Sequence, residues 1–307
     1  MEASHQGRLK KSQLPQMQAG LQGQLKKSQL PYAMGNLFPR WEAGTPAWWR
    51  NIDLILMTYL TPAAAAAALL PSEFSLPHLH AHGPVAKLGL AIEKLRVGDE
   101  LAAVMLTVAK YRAGGSLGPY NEVFQGIPCL YKSQRCAYCP SIYVDSDEAL
   151  TAGRELLGYP KKMAAITLNS SGAQFTGIME RRGVRVVSIS FKQENELFSV
   201  PLPANEKVVL SAPFDQMLAL PEPTGKPEVM AFPMISTRFI AGAIAPQHLQ
   251  THWSLDNGTV FAGEGSIEYA PSDADPLAKL PVVHVLGSVL FKGDMAYRGG
   301  EMLTEMA

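Results

Sequence analysis

The sequence predicts a mainly β (α+β) protein of antiparallel strands with few short helices, and three observations carry this reading. From Trp48 onward the chain runs as short apolar stretches broken by Gly, Pro, Asn and Asp, the texture of strands joined by turns. Val184 to Phe191 alternates, with Val184, Val186, Ser188 and Ser190 on one side and Arg185, Val187, Ile189 and Phe191 on the other, as in a strand with both faces partly buried. Asn257-Gly258 stands between Trp253 to Asp256 and Thr259 to Phe261. Both positions of a tight two-residue turn need positive φ, so this dipeptide predicts a hairpin.

Along the chain, residues 1–47 read as a weakly structured extension in which Leu9-Lys-Lys-Ser-Gln-Leu-Pro15 recurs as Leu25-Lys-Lys-Ser-Gln-Leu-Pro31. A single tandem copy is not a solenoid, since repeat folds need about three units to bury a shared core. Residues 48–307 read as one catalytic domain. Within it, Asp53 to Leu60 predicts a strand, followed by Thr61 as N-cap, Pro62 at the first helical position, and a short helix over Ala63 to Leu70 that Pro71 ends. This splits the one stretch, Leu54 to Leu70, that resembles a membrane span. Gly114 to Gly118 predicts a turn, Glu148 to Leu157 a helix, Pro201 to Pro227 a surface loop, and Glu301 a last helical turn.

At 307 residues, 47% hydrophobic and with zero formal net charge, the chain can enclose a water-shielded cavity and offers nucleic acid no electrostatic attraction. A small-molecule role is favoured, with no membrane partner. Cys129, Cys136 and Cys139 are too few and odd in number for a secreted disulfide framework, and the N-terminus lacks the apolar core of a signal peptide. A reducing, cytoplasmic compartment is expected.

The most informative segment is Gly153-Arg-Glu-Leu-Leu-Gly-Tyr-Pro160-Lys161-Lys162-Met163, where two lysines follow a proline in apolar and aromatic surroundings. A lysine attacks a carbonyl only as the free amine, and at its ordinary pKa about one molecule in 2,500 is in that form at pH 7. Burial or a nearby cation can raise this fraction. Adjacent strand residues point to opposite faces, so the two amines need not share a pocket. Taken alone, a Lys-Lys pair is usually a solvated surface feature.

The segment from Gly153 to Lys162 closely resembles the active-site signature of acetoacetate decarboxylases. Gly118-Pro-Tyr-Asn-Glu122-Val-Phe-Gln-Gly-Ile-Pro128, Tyr143-Val-Asp145, Asp275-Pro-Leu277 and Leu280-Pro-Val282 extend the likeness over roughly Trp48 to Ala307. That family is the standard example of a lysine activated by desolvation or by a neighbouring cation. The resemblance implies a large antiparallel β-barrel or cone. It implies Lys161 as the imine-forming residue, Lys162 as its electrostatic neighbour and Glu122 as an acid of the pocket. Arg154 and Glu155 would support the site as a buried pair, and Arg50 is the candidate for a first-strand arginine, although ungapped counting puts Ile52 there. The implied reaction is cofactor-independent decarboxylation of a β-keto acid through a Schiff base and enamine, with no metal, in a homo-oligomer.

One departure stands out: the position of the family's second pocket glutamate is Thr107. Loss of an acid keeps two alternatives open, a Schiff-base aldolase-dehydratase acting on a 2-oxo acid and a non-catalytic small-molecule binding protein. Cys136-x-x-Cys139 without a second pair, and His78, His80 and His82 flanked by Pro77 and Pro84, are weak metal or redox signals.

Overall fold

The computed structural model describes residues 47–77, 100–114, 117–132, 134–155, 157–200, 230–238 and 247–302. The duplicated segment, the three histidines of residues 78–82 and the expected loop at 201–227 lie outside them. The described strands are β1 (Ala47–Pro62), β2 (Phe74–Ser75), β3 (Leu101–Ala113), β4 (Tyr120–Tyr131), β5 (Gln134–Val144), β6 (Lys161–Met163), β7 (Ala165–Ser171), β8 (Gln174–Arg181), β9 (Val184–Val200), β10 (Met230–Arg238), β11 (Gln247–Tyr269) and β12 (His284–Met302). Two short helices, α1 (Ala63–Ala67) and α2 (Asp147–Glu155), and a 3-10 turn at Leu277–Lys279 accompany them. Among the described residues, no helix is long and apolar enough to cross a membrane.

The strands form one sheet in the order β10-β5-β4-β3-β1-β12-β11-β9-β8-β7, and a further pairing of β10 with β11 closes its first part into a ring. Neighbours are antiparallel except β10–β5 and β5–β6. Closure leaves the ring strands no free edges, which removes a liability of long open sheets. Trp49, Ile52, Tyr111, Tyr120, Val144, Trp253 and Tyr297 come from six of these strands yet share one buried cluster. Such residues can meet only on the concave side of the ring.

Beyond β11, strands β9, β8 and β7 fold back over the convex side. There Ile55, Tyr59, Val108, Val123, Ile166, Phe175, Met179 and Phe191 make a second cluster. This explains why β3 and β4 are buried on both faces, while β8 alternates buried and exposed positions along most of its length. The mainly antiparallel, barrel-like prediction matches this architecture.

Three local expectations are corrected. Asn257-Gly258 makes no hairpin, because β11 runs straight through it and the register against β12 slips between Leu255 and Asn257, forming a bulge. Gly258 has φ +151°, and a Cβ there would lie 2.6 Å from the Gly293 Cα, so the glycine serves close strand approach. Thr61 belongs to β1 and α1 starts from Pro62 without a side-chain cap bond. Glu301 pairs with Gln250 as the end of β12 instead of forming a helical turn.

Candidate active site

The segment that carries the lysine pair begins with α2. Ser146 caps it, its Oγ accepting the Ala149 N–H at 3.2 Å. After the helix, Gly158 takes φ +67° and the Tyr159 N–H bonds back to the Gly153 carbonyl at 2.9 Å, turning the chain into β6. β6 runs parallel to β5 with Ile142 beside Lys161 and Tyr143 beside Lys162. Ile142 packs inside the ring and Tyr143 on its convex side. Strand alternation therefore sends Lys161 inward and Lys162 outward.

Lys161 is 6% exposed, and its Nζ donates to Glu122 Oε2 at 2.8 Å. The second oxygen of Glu122 faces the Tyr111 hydroxyl at 3.5 Å, and the Lys161 ammonium stands 5.6 Å from the Tyr120 ring centroid. Tyr111 and Tyr120 are stacked at 4.5 Å. Burial first, then the Glu122 charge, holds both phenols well above their ordinary pKa, so they are neutral in the site. The same two causes push the Cys139 thiol up. A lysine and a carboxylate buried together persist because each neutralises the other, and removing either leaves an unpaired charge.

Several neighbours fix this pair. Asn121 clamps the strand start to Asp145, its N–H donating at 2.6 Å and its Nδ2 at 2.7 Å to the two carboxylate oxygens. Glu122 lies across from Ala109 on β3, whose small side chain leaves it room. Gly153 on α2 faces the Lys161 stem, and a Cβ there would come within 2.5 Å of the Lys161 Cε. Farther along the interior, Tyr159, Thr251 and Trp253 form a buried polar triangle. The two hydroxyls are 2.5 Å apart and the Trp253 indole N–H donates to both at 3.0 Å.

Residues 31–306 match the family model described as acetoacetate decarboxylase (ADC). The chain belongs to the acetoacetate decarboxylase family. It is 25% identical over 274 residues to acetoacetate decarboxylase 3 of Mesorhizobium japonicum, covering 89% of this chain and 90% of that one. Acetoacetate decarboxylase of Chromobacterium violaceum is 25% identical over 266 residues, covering 86% and 90%. Among solved structures, acetoacetate decarboxylase from Legionella pneumophila superposes with TM-score 0.62 at 16% identity, over 92% of this chain and 97% of that one. The enduracididine biosynthesis enzyme MppR, complexed with pyruvate, superposes with TM-score 0.60 at 16% identity, over 91% and 97%. These structural likenesses describe the fold.

Against this family background, the structure brings Lys161 and Glu122 together and places the remaining candidates elsewhere. Lys162 points away from Lys161, its Nζ 2.9 Å from Asp275 Oδ1. Arg154 is exposed on α2, so it does not form a buried pair with the partly buried Glu155. Instead its guanidinium donates to the Lys161 backbone carbonyl at 3.2 Å. Arg50 is exposed, because Asn51 takes φ 54° in a bulge that turns both Trp49 and Ile52 into the interior. Thr107 is partly buried opposite Phe124, one pair of residues along from Ala109.

Cys136 and Cys139 have odd spacing on a strand and belong to different clusters. Cys136 instead faces Cys129 across the β4–β5 hairpin at 3.4 Å between sulfurs. Among the described residues, no group of three or more His, Cys, Asp or Glu could hold a metal ion. Sequence reasoning passed over Tyr111, Asp275 as an ion-pair partner, and Arg181. Only the period-two register of β3 against β4 could have placed Tyr111 beside Glu122.

Proposed function

We propose that the chain catalyses decarboxylation of a β-keto acid through a Schiff base on Lys161. The observation that carries this reading is the 2.8 Å contact of Lys161 Nζ with Glu122 on the inner side of the ring, where the two side chains are 7% and 13% exposed. In the proposed cycle Glu122 accepts a proton from Lys161, and the free amine adds to the ketone carbon of the substrate. The carbinolamine loses water to give a protonated imine. The bond to the carboxylate then breaks, its electron pair flows into the iminium, and carbon dioxide leaves an enamine. The proton that Glu122 took from Lys161 leaves with the departing water, so Glu122 is reprotonated from solvent before it protonates the enamine carbon. Hydrolysis of the imine then frees the ketone and Lys161.

The neutral phenols of Tyr111 and Tyr120 support this reading, since they line the site without adding negative charge against an anionic substrate. Thr107, where the family resemblance implies a carboxylate, favours a second reading in which the same imine serves aldol or dehydration chemistry on a 2-oxo acid. Borohydride reduction in the presence of acetoacetate, followed by peptide mass mapping, tests the imine. The expected result is one adduct at Lys161 together with carbon dioxide release. An adduct at Lys161 with pyruvate but not acetoacetate, and enal formation on adding an aldehyde, would select the second reading. No adduct with either acid would eliminate both.

A further inference from the structure

We propose that Asp275 is a positioning residue for Lys161, acting from the opposite side of β6 through Lys162 and Arg181. Asp275 is 1% exposed and receives Lys162 Nζ at 2.9 Å, Arg181 Nε at 2.8 Å and the Tyr143 hydroxyl at 3.3 Å. Lys162 Nζ donates in addition to the Ala274 carbonyl at 2.8 Å. Arg181 reaches past the carboxylate, and its Nη1 donates to the carbonyl of Met163, the last residue of β6. One carboxylate thereby grips β6 twice, by the Lys162 side chain and by the Met163 backbone.

β6 needs such a grip. It is three residues long and, among the described residues, pairs with β5 alone, so ladder hydrogen bonds contribute little to holding it. Consecutive residues leave a strand on opposite faces, so fixing the direction of Lys162 fixes the strand's twist and the direction in which Lys161 enters the ring. The anchor is itself pinned. Gln125 Nε2 donates to the Leu277 carbonyl at 3.2 Å and the Tyr59 hydroxyl to the Leu280 carbonyl at 3.2 Å. The Lys162 charge is thereby matched on the far side of the strand.

This inference rests on Lys161 as the reacting amine. Borohydride trapping with acetoacetate, read as the rate of adduct formation at residue 161, is compared with kcat and KM in the wild type and in Asp275→Asn, Lys162→Met and Lys162→Arg. Displacing a reacting group by a fraction of its bond reach costs on the order of 10²-fold, so trapping and kcat fall by about that factor in Asp275→Asn while KM moves less than about threefold. Lys162→Met falls about tenfold, since Arg181 still holds Met163, and Lys162→Arg, still able to pair with Asp275, stays near the wild type.

The alternative, in which the Lys162 charge acts on Lys161 directly, predicts the opposite sign: unpairing Lys162 in Asp275→Asn would speed imine formation. That increase would overturn the proposal, as would unchanged trapping in both Asp275→Asn and Lys162→Met. Should Asp275→Asn not fold, the pH profile of trapping in Lys162→Met decides, where the lysine side chain replaced is 41% exposed. Lost positioning lowers the rate at every pH and leaves the midpoint in place, whereas loss of a direct charge effect moves the midpoint to higher pH and would overturn the proposal. No adduct in the wild type would remove the proposed function, and this inference with it, whereas a wild-type adduct with unchanged variants removes the inference only.

Discussion

Gly153 and Lys161 share one volume: the methyl group that glycine lacks would fall on the methylene stem of the lysine, 2.5 Å from Cε and 3.1 Å from Cγ. The glycine of the signature is thus a slot in α2 through which the amine reaches Glu122. Gly153→Ala is expected to separate stability from chemistry. Alanine is the better helix former by about 0.5–1 kcal/mol, so the fold is retained, whereas Lys161 is displaced and imine trapping slows about 10²-fold. Urea denaturation and borohydride trapping on one preparation check both halves.

Glu122→Gln keeps the shape of the side chain and removes its basicity. Proton transfer by a positioned side chain contributes about 10²–10⁴-fold, so kcat is expected to fall within that range while KM changes little. A steady-state comparison with acetoacetate would show it, and a loss confined to KM would assign Glu122 to binding instead.

Asp275 links stability to acid. Burial works against its charge, but hydrogen bonds from Lys162 and Arg181 outweigh that and hold the carboxyl below its ordinary value of 3.8. A carboxyl depressed in the folded state stabilises above its unfolded pKa and loses that contribution as pH falls through the lower folded value. The urea midpoint of the wild type should therefore drop more steeply between about pH 5 and pH 2 than that of Asp275→Asn.

Tyr59 links stability to alkali. Burial raises its phenol from 10.0 to about 12, against hydrogen bonds from Tyr269 and Gln125 that lower it. A group whose pKa is raised on folding stabilises below its unfolded pKa, and the contribution is lost as pH climbs from there through the folded value. At about 1.4 kcal/mol per unit this amounts to roughly 3 kcal/mol at most. Unfolding midpoints followed from pH 9 to pH 12 should decline less in Tyr59→Phe than in the wild type, and phenolate absorbance should rise with unfolding.

What the sequence revealed divides along a physical line. Period-two patterning identified β9, and the proline and alanine run around residue 62 identified α1, because both signals act over a few neighbouring residues. Asn257-Gly258 carried a correct local preference that long-range pairing overrode, since β11 had to pass close to Gly293. Arg50 was misplaced by the one-residue bulge at Asn51, which shifts the inward set by one position. Asp275 and Tyr111 reach the lysine segment only through strand register and the ring, and nothing in local spacing announces them. Lys161 and Glu122 could be picked out as candidates because they sit in motifs that resemble a family's, and the structure shows them in contact.

The inward and outward turn of the two lysines also makes the segment a reading frame. One residue gained or lost between the Gly158 turn and β6 would swap which amine enters the ring and which meets Asp275, with no change in composition. Length between turn and strand is therefore constrained here alongside residue identity. Gly158 is needed for its φ of +67° and Tyr159 for its buried hydrogen bonds, and an insertion or deletion within 157–160 recodes the site even when both are kept.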